Sequence, residues 1–286
     1  MTASDQPHRR TVAAPVAFEG VGIHTGAPSR LEVRPAEADS GIRLSRMEDG
    51  RPPLEAHIRY ADGPKSDRRT VLVGHEGQRF EQIEHVMAAL AAHGVSDAEV
   101  VMQGPEPPFL GGGSLEYMRG LREGGFADFK DRPWEPITLT RPVRVEADGA
   151  EMVAAPCQAL HLSCFVEFPG TVVGSMGASL QVTADSFESG AAAARTFALK
   201  RDIEGLWAAG LARGGTLDNA LVFDENGYAN PSLHFPDEVA RHKIVDLLGD
   251  LALSARPLRG HFWAWRAGHR AHIAFAKAIH EVTRQP

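Results

Sequence analysis

Three residues in the segment Arg241-His242-Lys243-Ile244-Val245-Asp246-Leu247-Leu248-Gly249-Asp250 can bind a metal or move a proton, and they recur every four positions. On a helix, His242, Asp246 and Asp250 fall along one face, drifting slowly round it. Ile244, Val245, Leu247, Leu248 and Leu251 cover the other side. An imidazole and a carboxylate one turn apart can share one metal ion, as the two histidines of an HExxH helix do. The same spacing also builds a polar stripe that simply faces water.

Three further clusters carry chemistry. Gln82-Ile83-Glu84-His85-Val86 opens a second expected helix, where His85 offers a ligand and Glu84 a carboxylate able to take a proton from metal-activated water. Alternatively both are exposed in a first helical turn, where Glu suits the helix dipole. Trp265-Arg266-Ala267-Gly268-His269 sets a histidine just after a strand and a glycine, held by the scaffold yet near the surface. Asp250 is suited to orient it, because a carboxylate behind an imidazole fixes the tautomer and stabilises the imidazolium. In Ala194-Arg195-Thr196-Phe197 the Thr196 hydroxyl can donate to a developing oxyanion.

The elements that must position these groups read as two similar halves. Period-two alternation predicts strands over 11–17, 31–35, 41–44 and 97–102, with Glu19-Gly20-Val21-Gly22-Ile23-His24-Thr25-Gly26 as a turn and 51–65 as a loop or hairpin insertion. Helices are expected over 82–92, capped by Gly94, and over 115–123. Residues 128–136, with two prolines and clustered charge, read as a linker. Beyond it come strands over 137–145, 151–155 and 160–167, a helix over 186–194 and a short helix over 202–210. A Gly-rich turn at Gly214-Gly215, a strand over 220–223, a long helix over 237–253, a strand over 260–265 and a C-terminal helix complete the chain. The reading is an α+β fold of two α/β-sandwich domains, residues 1–130 and 131–286, without a visible sequence repeat.

Composition narrows the functional classes. With 43% hydrophobic and 23% charged residues among 286, the chain can build a sizeable core. A net charge of -7 without a dense basic cluster argues against nucleic acid as a partner. Two cysteines, Cys157 and Cys164, form no CxxC pair and fit a reducing compartment. The first ten residues contain no apolar signal region, and no apolar run is long enough to span a bilayer. A cytoplasmic protein is therefore expected.

In order and spacing, these segments resemble the UDP-3-O-acyl-N-acetylglucosamine deacetylases, the zinc amidases of lipid A synthesis. The resemblance runs over nearly the whole chain. It rests on Val21-Gly22-Ile23-His24-Thr25-Gly26, Glu84-His85, Ala194-Arg195-Thr196-Phe197, Arg201-Asp202-Ile203-Glu204, Gly210-Leu211 to Asn219-Ala220, Asp237-Glu238 with Arg241-His242-Lys243, Asp246 to Leu251, and Gly268-His269. It implies that His85, His242 and Asp246 hold zinc between the two domains, with Glu84 as the base and His269, oriented by Asp250, as the acid. Thr196 would hold the oxyanion, and Lys243 would lie beside the metal and the substrate phosphates. An apolar passage for the acyl chain would involve Phe197, Ile203, Leu211 and Val222. Three protein ligands leave one position open, the pattern of catalytic zinc. The implied partner is a small acylated amino-sugar nucleotide, bound by a monomer.

Three departures from the family pattern concern the substrate. Pro108-Phe109-Leu110-Gly111-Gly112-Gly113-Ser114 carries Gly111 at the usual aspartate. Glu167-Phe168-Pro169-Gly170 lacks a histidine, and Arg266-Ala267 replaces a Lys-Ser pair. They leave open a second substrate, another N-acetylated amino-sugar conjugate. A catalytically dead relative that only binds a sugar nucleotide ranks last, because Glu84 and His269 are both present.

Overall fold

The computed structural model describes residues 7–47 and 49–284, so part of the polar opening segment lies outside the described residues. Among the described residues six α-helices join the strands: α1 (Glu84–Ala92), α2 (Leu115–Gly124), α3 (Ala184–Gly190), α4 (Ile203–Ala208), α5 (Glu238–Ala252) and α6 (His269–Arg284). The first sheet orders its five strands as Val16–Val21, Pro28–Arg34, Ala98–Gln103, Ile42–Arg46 and Leu54–Glu55. The second runs Val143–Ala147, Ala150–Ala155, Leu258–Trp265, Leu160–Phe168 and Gly174–Gln181, with Ile137–Thr138 added beside Leu258–Trp265.

Both sheets thus follow one plan. Counted along the chain, the spatial order is first, second, fifth, third, fourth. The only parallel neighbours on either five-strand path are the fifth and third strands. In each half the fifth strand is preceded by a buried helix (α1 or α5) and followed by another (α2 or α6). A duplicated α+β fold is present although the two sequences share no evident repeat.

Alternation along the strands explains which sheet face is covered. Leu31, Val33, Val100 and Met102 point inward in the first sheet, as do Leu162, Cys164, Phe262 and Ala264 in the second. Residues 84–90 of α1 are buried all round, and so is nearly all of α5. Helices apolar or covered on every side belong in a core, and these two lie against each other at the centre. A Cβ on Gly249 would sit 2.0 Å from the Glu84 carbonyl oxygen, so glycine there lets the helix backbones touch.

Each half carries an insertion. In the first it is a hairpin of Val71–Val73 and Arg79–Glu81. In the second, parallel strands Thr196–Leu199 and Ala220–Phe223 are joined across α4. Among the described residues no helix is long and apolar enough to cross a membrane.

Several expected boundaries shift. The segment 128–136 is not a linker throughout, because Phe126–Pro133 is a strand paired antiparallel with His8–Val12. That strand is mostly exposed and lacks alternation. Backbone pairing and the Arg10–Asp128 ion pair (2.6 Å) hold it instead, which a hydrophobic pattern cannot reveal. The strand expected over 11–17 is two strands, His8–Val12 and Val16–Val21, separated at Pro15, which has no N–H to give a ladder. The helix expected over 186–194 starts at Ala184, where Thr183 accepts from the Ser186 backbone N–H, and ends at Gly190.

Candidate active site

Three helices (α1, α5 and the start of α6), the inserted strand at Thr196 and the loop at Thr70 build the site. Gln82, in the left-handed region at φ 60°, turns the chain into α1, whose first two residues are Glu84 and His85. The adjoining face of α5 presents His242, Asp246 and Asp250. One ligand atom each from His85, His242 and Asp246 lie within 4.8 Å of one another, and all three residues are buried. Asp246 Oδ1 is 3.6 Å from His85 Nε2 and 3.3 Å from His242 Nε2. Ligands at about 2.0–2.1 Å from a tetrahedral zinc stand about 3.3–3.4 Å apart, so the spacing fits a single ion. The proton state fits as well. The His242 Nδ1–H donates to the Ala194 carbonyl at 3.0 Å, leaving the Nε2 lone pair toward the cluster. Burial pulls this imidazole down to about 4, which keeps it neutral as a ligand must be. For Asp246 burial acts the other way, but Lys243, His242 and His269 hold the carboxyl well below its ordinary range. Its second oxygen accepts from Lys243 Nζ at 2.7 Å.

Beside this cluster stand a carboxylate and an imidazole of opposite tendency. Glu84 is almost wholly buried, and burial pushes its carboxyl above the ordinary value against the pull of His269 and His85. His269 opens α6, and its Nε2 lies 4.0 Å from Glu84 Oε1 and 3.8 Å from Asp246 Oδ2. Its Nδ1–H donates to Asp250 Oδ2 at 2.8 Å. Burial disfavours the imidazolium, yet Asp250 and Asp246 outweigh it and raise His269 to about 9. Burial likewise opposes ionisation of Asp250, but His269 and His272 bring it to about 2. The pair is therefore charged near neutrality, with the proton on His269.

Thr196 begins the inserted strand pair, and its backbone N–H donates to the Gly112 carbonyl at 3.0 Å. Its neighbour Arg195 is buried and pairs with Glu238 at the start of α5 (Nε to Oε1, 2.8 Å), which ties the segment to the helix carrying His242. Beside the departure at Gly111, the next glycine has a packing role. Gly112 has φ 86°, and a Cβ there would meet the Asn219 carbonyl oxygen at 1.8 Å.

A cleft of about 560 Å³ opens beside the cluster, with Phe109, Phe197, Ile203, Leu206 and Val222 among its walls and Thr196 at its side. Its inner end abuts the expected ligands, since Phe197 lies 6.0 Å from the His242 ring and Phe109 5.3 Å from that of His85. Trp207 lines the cleft while remaining 57% exposed, so it does not fill the passage. Leu211 is not on the lining; at the end of α4 its N–H donates to the Leu206 carbonyl. Phe168 lines the cleft and packs edge-on to Phe197 and Phe223. Burial opposes the charge on Lys243, but Asp246 raises it above its ordinary value, and burial pushes the Cys164 thiol up to about 12.

Two residues at this site escape sequence reading. The Thr70 backbone N–H donates to Glu84 Oε2 at 3.2 Å, and its hydroxyl donates to Asp250 Oδ1. It stands in a charged loop with nothing to mark it. His272 donates from Nδ1 to Asp250 Oδ2 at 2.8 Å. Its position three residues after His269, on the same helix face, was the available signal.

Comparison with known proteins gives a matching family and named relatives. Residues 9–281 match the sequence model of the family described as UDP-3-O-acyl N-acetylglycosamine deacetylase. Relatives named UDP-3-O-acyl-N-acetylglucosamine deacetylase include one from Synechocystis, 32% identical over 96% of this chain and 99% of its own. One from Leptospira biflexa is 34% identical (95% and 89%), and one from Brucella melitensis is 35% identical (95% of each).

Proposed function

Because the chain belongs to the UDP-3-O-acyl N-acetylglycosamine deacetylase family, we propose that it is a zinc-dependent hydrolase removing the N-acetyl group of UDP-3-O-acyl-N-acetylglucosamine in lipid A biosynthesis. The observation that carries this reading is the buried triad of His85, His242 and Asp246, spaced for one ion and flanked by Glu84 and His269. The halves 1–130 and 131–286 each supply part of it. Zinc held there supplies Lewis-acid polarisation of the amide carbonyl and lowers the pKa of water to about 7.

The protein's own groups divide the proton work. Glu84 Oε1 accepts a proton from the attacking water as its oxygen adds to the acetyl carbon. Thr196 Oγ1 donates to the carbonyl oxygen as charge builds on it. His269 Nε2 gives its proton to the amide nitrogen, so the C–N bond breaks with a neutral amine leaving and acetate released. Asp250 keeps His269 charged and turned toward Glu84. Lys243 neutralises the second oxygen of Asp246 and would also meet the substrate phosphates. Phe197, Ile203 and Val222 receive the acyl chain. Free Cys157 and Cys164 support a cytoplasmic setting.

The departures at Gly111, Phe168 and Arg266-Ala267 favour, as a second reading, a zinc deacetylase of another N-acetylated amino-sugar conjugate. Metal analysis combined with deacetylation assays separates the two. The expected result is one zinc per chain and activity on the nucleotide-linked acyl sugar far above that on N-acetylglucosamine. Glu84→Gln should keep its zinc and lose about 100-fold or more in kcat. Loss of zinc from that variant would show that Glu84 is a ligand and not the base.

A further inference from the structure

Asp250 serves three donors, not one. Its Oδ1 accepts from the Thr70 hydroxyl, and its Oδ2 accepts from Nδ1–H of both His269 and His272 at 2.8 Å each. His272 lies one helical turn after His269 on α6, fully buried, and its ring stands 5.8 Å from that of His269. Its Nε2 has no hydrogen-bond partner among the described residues, so Asp250 is the one polar group its ring addresses. A buried imidazole nitrogen without a partner costs free energy, so its presence here calls for a role.

We propose that His272 is a positioning residue for the reaction: its Nδ1–H, with the Thr70 hydroxyl, holds the Asp250 carboxylate in the plane and rotamer that aim His269 Nε2 at Glu84 and the substrate nitrogen. A carboxylate on a helix can rotate about χ2, and a single imidazole contact does not stop it. Three donors on two elements do: the loop at Thr70, and α6, which supplies His269 at its start and His272 on its next turn. Because the Thr70 backbone N–H also holds Glu84 Oε2, the same device sets the base relative to the acid. Burial pulls His272 below its ordinary value although Asp250 opposes this, so the ring stays neutral and adds no second charge. The groups facing this network are Glu84 from α1, Asp246, Asp250 and Lys243 from α5, and His269 from α6.

This inference rests on the deacetylase reading, and its test separates the two. In the zinc-loaded protein, His272→Leu fills the space and removes the donor, whereas in His272→Asn the amide nitrogen takes the place of Nδ1. The leucine variant should keep its zinc and its KM within about twofold while kcat falls about 10- to 100-fold. The asparagine variant should recover most of that loss. Equal kcat in the two variants at equal thermal stability would overturn the proposal, as would a leucine variant of unchanged kcat. Nitrogen-15 NMR of the wild-type protein needs neither variant nor substrate. It should show His272 protonated at Nδ1, with that proton protected from exchange and shifted downfield, and an Nε2–H form would overturn the proposal. A wild-type protein inactive on the nucleotide-linked acyl sugar would refute the deacetylase reading and leave the NMR result to judge His272.

Discussion

At the level of single residues, His269 and Asp250 form a buried charge pair whose worth depends on pH with a defined sign. His269 is raised in the fold from 6.5 to about 9, so its contribution to stability is complete below 6.5 and is lost as pH rises through about 9. Asp250 is lowered from 3.8 to about 2, so its share is complete above 3.8 and fades as pH falls toward 2. In metal-stripped protein, denaturant unfolding of wild type and His269→Gln should differ most near about pH 6 and converge toward about pH 9.5. A gap that stays constant over that range would mean that His269 is neutral when folded. Most ionisable members of this site were legible because helical spacing and the Gly-His junction set them apart, but His272, inside a helix after that junction, was passed over. Thr70 was not legible, since a threonine in a charged loop has no periodicity and acquires its partners only when the two halves meet.

Among the elements, the contact of α1 with α5 decides whether there is a site at all. Glu84 and His85 ride on one helix, His242 and Asp246 on the other, and Gly249 sets their separation. Gly249→Ala pushes a methyl group into the Glu84 carbonyl, which cannot yield without moving α1. Overpacking of this kind costs about 1–3 kcal/mol, and here the displaced backbone also carries a ligand, so zinc affinity should fall together with thermal stability. Gly205→Ala in α4 is the control. That position is exposed with nothing within 4 Å, and alanine there should stabilise by about 0.5–1 kcal/mol. Thermal unfolding and zinc titration of both variants check the contrast, and retained zinc affinity in Gly249→Ala would show that the helices can separate without harm. Elements with a hydrophobic rhythm, such as α1, α5 and the inner strands, were readable from sequence. The edge strand Phe126–Pro133 was not, because its partner His8–Val12 lies more than a hundred residues away and its side chains face water.

For the molecule as a whole, the duplicated sheets place the buried cluster of His85, His242 and Asp246 at their junction, with one large insertion beside it. Two α+β halves were legible from the succession of strands and helices; their common strand order was not, since it resides in pairing and not in residue identity. The insertion of Thr196–Leu199, α4 and Ala220–Phe223 makes the cleft of about 560 Å³ whose inner end touches the rings of His85 and His242 through Phe109 and Phe197. An acyl chain lying there would bury methylenes at about 0.8 kcal/mol each. Such energy, gained far from the amide, raises kcat/KM when it is used to orient the reacting bond. Matched nucleotide sugars with and without the 3-O-acyl chain should therefore differ by several orders of magnitude in kcat/KM. Ile203→Asp or Val222→Asp should erase most of that difference while leaving turnover of the deacylated sugar and zinc content as they were. Trp207, exposed on the cleft and large enough to close it in another rotamer, makes the comparison sharper: if it shuts the passage, Trp207→Ala will favour the acylated substrate more strongly than wild type does. Equal kcat/KM for the two substrates in wild type and in Trp207→Ala alike would remove the acyl chain from the reaction and leave a zinc deacetylase of a smaller amino sugar, with the cleft serving only to pack α4 against its strands.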